Sequence, residues 1–287
     1  MRVRIAIPSK GRLYEKTLEV LGRAGIAPTD RRERALYAPT SDPEVGVIFL
    51  RAADIPRFVE EGVADLGVTG YDCVVESEAD VEELLDLEFG KVDVVVAARE
   101  DSGIRSIDDV EQGTRVATKL ANITRAYFES AGKPVSVVRV SGAVEVIPYL
   151  GVADLIVEVV ETGLTLGAHR LRVISTVLES SARLIANKRS LSEKREKISE
   201  IALALKSVVR ARRKKLIMMN VPEKALRAVV GKLPAMSGPT VARVEAPEPM
   251  WEVYSVIDED EVYRVIGDVK RAGARDIIVL PIERVVR

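Results

Sequence analysis

An α/β fold with two similar lobes and a small C-terminal domain follows from three observations. Short β-branched apolar runs alternate with amphipathic segments up to about residue 187, the pattern of sheets covered by helices. The pentapeptide Gly62-Val63-Ala64-Asp65-Leu66 recurs as Gly151-Val152-Ala153-Asp154-Leu155. Beyond residue 212 the element order changes to β-α-β-β-α-β within about 70 residues.

In chain order, Val3 to Pro8 reads as a strand, Ser9-Lys10-Gly11-Arg12 as a turn, and Leu13 to Ala24 as a helix closed by Gly25. Residues 29–44 are rich in Arg, Asp, Pro and Thr and suit a loop or β-hairpin. Val45 to Arg51 is the next strand. A helix then opens with Asp54 as N-cap and Pro56 in its first turn, and ends at Gly62. Val63 to Val68 leads to the Thr69-Gly70 turn.

The second unit repeats this order. Thr114 to Thr118 is a strand, Lys119-Leu120-Ala121-Asn122 a turn, Ile123 to Ala131 a helix, and Val135 to Val140 a strand. A segment with Ile147-Pro148 precedes the repeated pentapeptide, as Ile55-Pro56 precedes the first copy, and a Thr162-Gly163 turn follows it. Two such units facing each other give a two-lobed, periplasmic-binding-protein-like fold with both sets of turns in one cleft. Asp93 to Ala98 suits the crossing between lobes, and Leu171 to Val177 with Ala182 to Asn187 the return. The expected division is lobe I over 1–92 and 180–212, lobe II over 93–179, and a ferredoxin-like βαββαβ domain over 213–287.

A long helix is expected from Ser190-Leu191-Ser192-Glu193, with a serine cap and an apolar stripe of Ile198, Ile201, Leu205, Val208 and Val209. Its basic end, Arg210 to Lys215, complements the helix dipole rather than marking a nucleic-acid surface. The C-terminal strands are expected at 216–220, 240–245, 251–257 and 276–281, with helices at 223–233 and 259–272.

Composition narrows the function. The 287 residues are 47% hydrophobic and 30% charged, with a formal net charge of -1, which gives no bulk electrostatic support for nucleic acid. One cysteine, Cys73, excludes an internal disulfide and fits a reducing cytoplasm. One histidine, His169, removes His-rich metal chemistry. No apolar run reaches the roughly 18 residues that span a membrane, and MRVRIAIPSKGR lacks the apolar region of a secretory leader.

The stretch Ala153 to Leu166 concentrates the chemistry. A buried parallel strand runs into Glu161-Thr162-Gly163-Leu164-Thr165, whose free N–H groups and hydroxyls suit an anion if a helix begins after them. Asp154, Glu158 and Glu161 add carboxylates, suited to a ligand with hydroxyls, a magnesium ion, or both. The basic turn with Lys10 and Arg12 sits at a strand's C-terminal end, the ligand edge of open α/β sheets.

These pieces resemble the ATP phosphoribosyltransferase family, in its long form. The resemblance runs nearly end to end: RIAIPSKGRL, LRAADIPRFVEEGVADLGVTGYD, RVATKLANITRAYF, SGAVEVIPYLGVADLIVEVVETGLTL, KKLIMMN, LPAMSGPTV and GARDIIVLPIERV. The segment ADLIVEVVETGLTL is similar to the family's phosphoribosyl-pyrophosphate loop, with Glu158 where the family often has Asp and Glu161 where it often has Ser. The extra charge at Glu161 argues against that side chain touching phosphate.

The resemblance implies an enzyme that joins N1 of the ATP adenine to the ribose C1 of phosphoribosyl pyrophosphate, opening histidine biosynthesis. It also implies magnesium, held largely through substrate phosphates, dimers assembling into hexamers, and inhibition by L-histidine at the C-terminal domain. It assigns Thr162, Gly163, Leu164 and Thr165 to the 5-phosphate, and Asp154 and Glu158 to the ribose. Lys10, Arg12, Arg51 and Lys119 fall to the pyrophosphate and ATP phosphates, Tyr71 to the adenine, and Asn220, Thr240 and Ala274 to histidine. Two other readings stay open on the residues alone, a ligand-binding module without catalysis and an assembly protein.

Overall fold

The computed structural model describes residues 2–29, 36–161, 163–234, 236 and 238–286. Backbone contacts divide the chain into two compact units, residues 1–202 and 203–287, a division inside a helix and upstream of the expected boundary at 213.

The first unit contains two sheets. Lobe I opens with β1 (Val3–Pro8), α1 (Tyr14–Arg23), β2 (Tyr37–Pro39), β3 (Val45–Leu50), α2 (Ile55–Glu60), β4 (Leu66–Gly70), α3 (Tyr71–Ser77) and β5 (Glu82–Asp86). Lobe II holds β6 (Val92–Arg99), β7 (Arg115–Thr118), α4 (Ala121–Ser130), β8 (Ser136–Arg139), β9 (Leu155–Val160), α5 (Leu164–Ala168) and β10 (Leu171–Ser180). After the single residue Ser181 the chain re-enters the first sheet as β11 (Ala182–Ala186). β2 and β3 form the hairpin allowed for 29–44, with residues 30–35 outside the described part.

The sheet orders are β2-β3-β1-β4-β11-β5 and β10-β6-β9-β7-β8. In each, three parallel strands are followed by an antiparallel crossing strand: β3-β1-β4 then β11, and β8-β7-β9 then β6. The pentapeptide echo is therefore a topological echo. In both lobes its aspartate ties the start of the central strand. The Asp65 N–H donates to the Arg4 carbonyl while Arg4 N–H donates to Asp65 Oδ2 at 2.8 Å. Asp154 and Arg115 exchange the same pair of bonds, with Arg115 N–H to Asp154 Oδ2 at 3.0 Å. Apolar alternation dictates the cores: Ile5, Ile7, Val47 and Leu66 in lobe I, Val94, Val96, Leu155 and Val157 in lobe II, are all fully buried.

Local signals failed at two caps. Asp54 precedes α2, but its side chain makes no cap hydrogen bond. The segment expected to start at Ser190 starts earlier, as α6 (Lys188–Glu193), capped by Asn187 Oδ1, which accepts the Ser190 N–H at 2.9 Å. Ser190 instead donates to the buried Asp65 at 2.7 Å, beside Lys194 Nζ at 2.8 Å. The helix breaks at Lys194 and resumes as α7 (Arg195–Ala211), with the predicted stripe buried. The Ile147-Pro148 segment is a 3-10 helix, Val144–Leu150, because Pro148 supplies no N–H.

The second unit adds β12 (Lys214–Pro222), α8 (Leu226–Val230), β13 (Thr240–Val244), β14 (Met250–Asp258), α9 (Val262–Arg271) and β15 (Arg275–Pro281). α8 is shorter than the expected 223–233 helix, with a 3-10 turn over Glu223–Ala225 before it. The antiparallel order β13-β14-β12-β15 is the ferredoxin-like arrangement. One sheet face packs Ile217, Met219, Val221, Val253 and Ile257 against Val265 and Val269 of α9 and Val229 of α8. No helix among the described residues is long and apolar enough to cross a membrane.

Candidate active site

Lobe II gathers the predicted phosphate loop and basic turn at the C-terminal ends of β7 and β9. Thr118 Oγ1 donates to the Val157 carbonyl at 2.8 Å and accepts the Leu120 N–H at 2.8 Å, which holds the turn carrying Lys119 against the end of β9. Lys119 Nζ then lies 3.6 Å from Glu158 Oε2. These two line a cavity of about 420 Å³ with Ala143, Glu145, Glu161, Gly163 and Thr165.

The loop is built for an open mouth. Gly163 has φ +74°, a conformation that favours glycine, and starts the one-turn helix α5. Leu166 is buried in the lobe II core and anchors the turn, while Leu164 is 77% exposed and Thr165 is exposed. The one histidine serves this loop: His169 Nδ1 lies 2.9 Å from the Thr165 carbonyl oxygen, and Tyr149 Oη donates to the His169 carbonyl. Thr162 lies outside the described residues. Ala143, also at positive φ (+50°), and Glu145 join the cavity, although neither is assigned to a ligand from the sequence.

Asp154 is not in this group. It precedes β9 at the strand's N-terminal end, whereas Gly163 and Thr165 follow the C-terminal end. A six-residue strand at about 3.3 Å per residue puts roughly 20 Å between them. The Arg115 guanidinium, hydrogen-bonded at 2.9 Å, holds the Asp154 carboxyl below the usual carboxylate range, with the Arg115 N–H adding to this. The assignment of Asp154 to ribose is thus corrected: it clamps β7 to β9, as Asp65 clamps β1 to β4.

In lobe I the Ser9 N–H donates to the Leu50 carbonyl at 2.7 Å, and Thr69 Oγ1 donates to the Ala52 carbonyl at 2.7 Å. These bonds bring the turns bearing Lys10 and Arg51 to one sheet edge, where both side chains are exposed. Tyr71 begins α3 at the same edge and stacks under the Arg183 guanidinium, 5.0 Å from the ring centroid. Arg12 points elsewhere. Its guanidinium donates to Asp72 Oδ1 at 3.0 Å and to the Gly90 carbonyl at 2.8 Å, so it is spent on the connection between lobes rather than presented to a phosphate. Burial, with Asp72 adjacent, pushes the Cys73 thiol up to about 12, which leaves it un-ionised at neutral pH.

No group of three or more metal-ligating His, Cys, Asp or Glu side chains occurs among the described residues. Three glutamates and one lysine line the cavity, a set that does not attract a polyanion by itself. A phosphate ligand arriving with its own divalent cation fits this lining, because hard carboxylate oxygens then face the metal.

In the second unit Asn220 and Thr240 share the outer sheet face, since Met218 and Thr240 both pair with Tyr254 and Asn220 follows Met218 by two. Asn220 Nδ2 donates to Asp276 Oδ2 at 3.0 Å. The Ala274 methyl is packed in the hydrophobic cluster on the other side, so only its backbone is near Asn220, whose partner in the sheet is Arg275.

Comparison with known proteins agrees with this architecture. The family profile HisG, ATP phosphoribosyltransferase, matches residues 51–207, and HisG, C-terminal domain, matches 211–284. The chain is 50% identical over 285 residues to an ATP phosphoribosyltransferase of Methanocella arvoryzae, covering 99% of this chain and 100% of that one. It is 49% identical over 284 residues to the enzyme of Ignicoccus hospitalis, covering 99% and 100%. Among solved structures, the ATP phosphoribosyl transferase (HisG:HisZ) complex from Thermotoga maritima superposes with a TM-score of 0.63 at 30% identity, covering 72% of this chain and 98% of that one. With both family regions matched and half of its residues shared end to end with such relatives, the chain belongs to the ATP phosphoribosyltransferase family.

Proposed function

We propose that the family's reaction runs between the two ligand edges, with the phosphoribosyl donor on lobe II and ATP on lobe I. The reaction itself is a pentosyl transfer from phosphoribosyl pyrophosphate to N1 of ATP, releasing pyrophosphate, in histidine biosynthesis. The observation that carries the assignment is the convergence of Lys119, Glu158, Gly163 and Thr165 on one cavity. In this reading the loop from Gly163 to Thr165 receives the 5-phosphate through N–H groups and the Thr165 hydroxyl. Glu158 accepts from the ribose hydroxyls, and Lys119 meets the pyrophosphate. Lys10 and Arg51 face the ATP phosphates, and Tyr71 lines the adenine.

Adenine N1 is a weak nucleophile that carries no proton to remove, so no general base is required. Catalysis then rests on holding N1 against C1 and on neutralising the departing pyrophosphate. That suits a chain whose one thiol is un-ionised and whose one histidine is spent on a loop carbonyl. The family is metal-dependent, and magnesium is the ion we assign; when bound it supplies charge neutralisation on the pyrophosphate. We further infer a cytoplasmic homo-oligomer, dimer to hexamer, inhibited by L-histidine at Asn220, Thr240 and the Ala274 backbone.

The test is the ultraviolet absorbance change on N1 ribosylation, in ATP, phosphoribosyl pyrophosphate and magnesium, with pyrophosphatase present. A signal lost on chelation and suppressed by L-histidine is expected. No signal under these conditions refutes the catalytic assignment, and a histidine-insensitive signal refutes the regulatory one.

A further inference from the structure

α3 belongs to lobe I by sequence, yet it is packed into both lobes. Val74 packs against the lobe I cluster of Ala6, Ile55 and Val59, and the next residue, Val75, against the lobe II cluster of Ile123 and Phe128. Its two acids, Asp72 and Glu76, are four residues apart and so lie on one helix face. Asp72, buried, binds Arg12 and exchanges bonds with Ser180 at the crossing back to lobe I, Ser180 Oγ to Asp72 Oδ1 at 2.6 Å and Asp72 N–H to Ser180 Oγ at 3.0 Å. Glu76 reaches into lobe II. Its carboxylate accepts the Asn122 and Ile123 N–H groups at 2.9 and 3.0 Å, and its own carbonyl accepts from Asn122 Nδ2 at 2.9 Å. A carboxylate at the first turn of the ten-residue α4 is a charge-assisted tie reinforced by the helix dipole. α4 begins two residues after Lys119.

One face of α3 therefore grips the basic turn of lobe I through Arg12 and, from its other end, the segment following the basic turn of lobe II. We propose that α3 is a strut that fixes the angle between the lobes, and that Glu76 is a positioning residue for the transfer. It holds the Lys119 turn in register with the opposite edge. This rests on the assignment of the two substrates to the two lobes. Each half-site is complete without Glu76, so its loss separates binding from turnover: reactants still bind but no longer meet in the reactive geometry.

The experiment uses the full chain with Glu76→Ala and Glu76→Gln. In Glu76→Ala, amide exchange of the peptide containing Asn122 and Ile123 should rise about tenfold, the two donors having lost their acceptor. Turnover should fall at least about tenfold, while dissociation constants for ATP alone and for phosphoribosyl pyrophosphate alone change less than about twofold. Glu76→Gln, which keeps an acceptor oxygen, should recover most of the turnover. Unchanged turnover in Glu76→Ala despite faster exchange overturns the proposal, as do affinities that weaken in step with turnover. If Glu76→Ala does not fold, Asn122→Ala removes the side-chain half of the tie and should give the same split in smaller measure; unchanged kinetics there overturn it equally. Thr165→Ala is the control for the site itself. It should weaken donor binding without altering exchange at Asn122 and Ile123. If donor binding is intact in Thr165→Ala, the site assignment fails, whereas the exchange result on Glu76 still decides the tie.

Discussion

In lobe I the expected Thr69-Gly70 turn is instead the end of strand β4, paired with β11 and running straight into α3, whereas in lobe II the Thr-Gly pair lies beyond the end of β9, in an open turn. Both pairs follow the same pentapeptide, but the segment between the shared aspartate and the Thr-Gly pair is four residues longer in lobe II. The short version puts Asp72 directly over Gly70, where Arg12 and Ser180 seize it. The long version carries the chain past the sheet edge, where Gly163 turns it at positive φ and leaves Thr165 exposed. A duplicated element has thus become a joint in one lobe and a binding loop in the other. Loop length and the partner of one aspartate decide which.

The glycines of the two Thr-Gly pairs are needed for different reasons. A Cβ at Gly70 would overlap the Asp72 carboxylate and press on Arg12, although its φ of -73° is open to any residue. Around Gly163 there is open space, and only its φ resists substitution.

The pentapeptide aspartates supply the largest expected contrast. Asp65 is 2% exposed and holds Lys194, itself 15% exposed, so Asp65→Ala should cost about 3–4 kcal/mol by stranding a buried charge. Asp154 is 42% exposed in its pair with Arg115, and Asp154→Ala should cost under about 1 kcal/mol. Urea denaturation of both variants checks this, and equal losses would break the comparison. Burial raises the Asp65 pKa, but the Lys194 ammonium, the Arg4 N–H and the Ser190 hydroxyl outweigh it and leave it lowered. A depressed folded-state pKa adds stability that is present above the unfolded value, about 3.8, and lost as pH falls below it. Relative to Asp65→Asn, the unaltered chain should lose its advantage only in that acid range.

Next in size is Gly70→Ala, expected to cost about 2 kcal/mol through the displaced Asp72–Arg12 pair. Gly163→Ala should cost about 1 kcal/mol, from the left-handed backbone alone. Thermal melts of the two would separate them. A reversed order would mean that the lobe I joint is softer than its hydrogen bonds suggest. The smallest effect is in the second unit. Asn220→Ala removes an exposed donor, so stability should change by less than about 0.5 kcal/mol, while the histidine concentration for half-inhibition rises about tenfold. Unaltered inhibition would remove Asn220 from the regulatory site.

The fold was legible because its signals are local or repeated. Strand and helix periods survive in short windows, and the echo disclosed the paired lobes. The candidate site was half legible. Glycine and hydroxyls at Gly163 and Thr165 carry their chemistry in their residue types, and Lys119 stands beside them because a strand end does. Asp154 misled because an acid near a phosphate loop resembles a ribose ligand. Its twin Asp65 stands in a lobe without such a loop, and that recurrence was the one sequence signal for a structural role, which the bonds to Arg4 and Arg115 now supply. Arg12 and Glu76 gave no such warning, since their partners lie 60 and 46 residues away and only the folded chain brings them together. Ser190 opens a Ser-x-x-Glu pattern, but Asn187 three residues earlier took the cap and freed the hydroxyl for Asp65.

The measurement that bears most directly on the open-turn assignment is calorimetric titration of phosphoribosyl pyrophosphate, with magnesium, into the full chain and into Glu158→Gln/Thr165→Ala. Loss of a charge-assisted bond and a phosphate hydroxyl contact should weaken binding about 100-fold, with ATP binding unchanged. Donor affinity equal to that of the unaltered chain would contradict the account and move the donor out of the lobe II cavity.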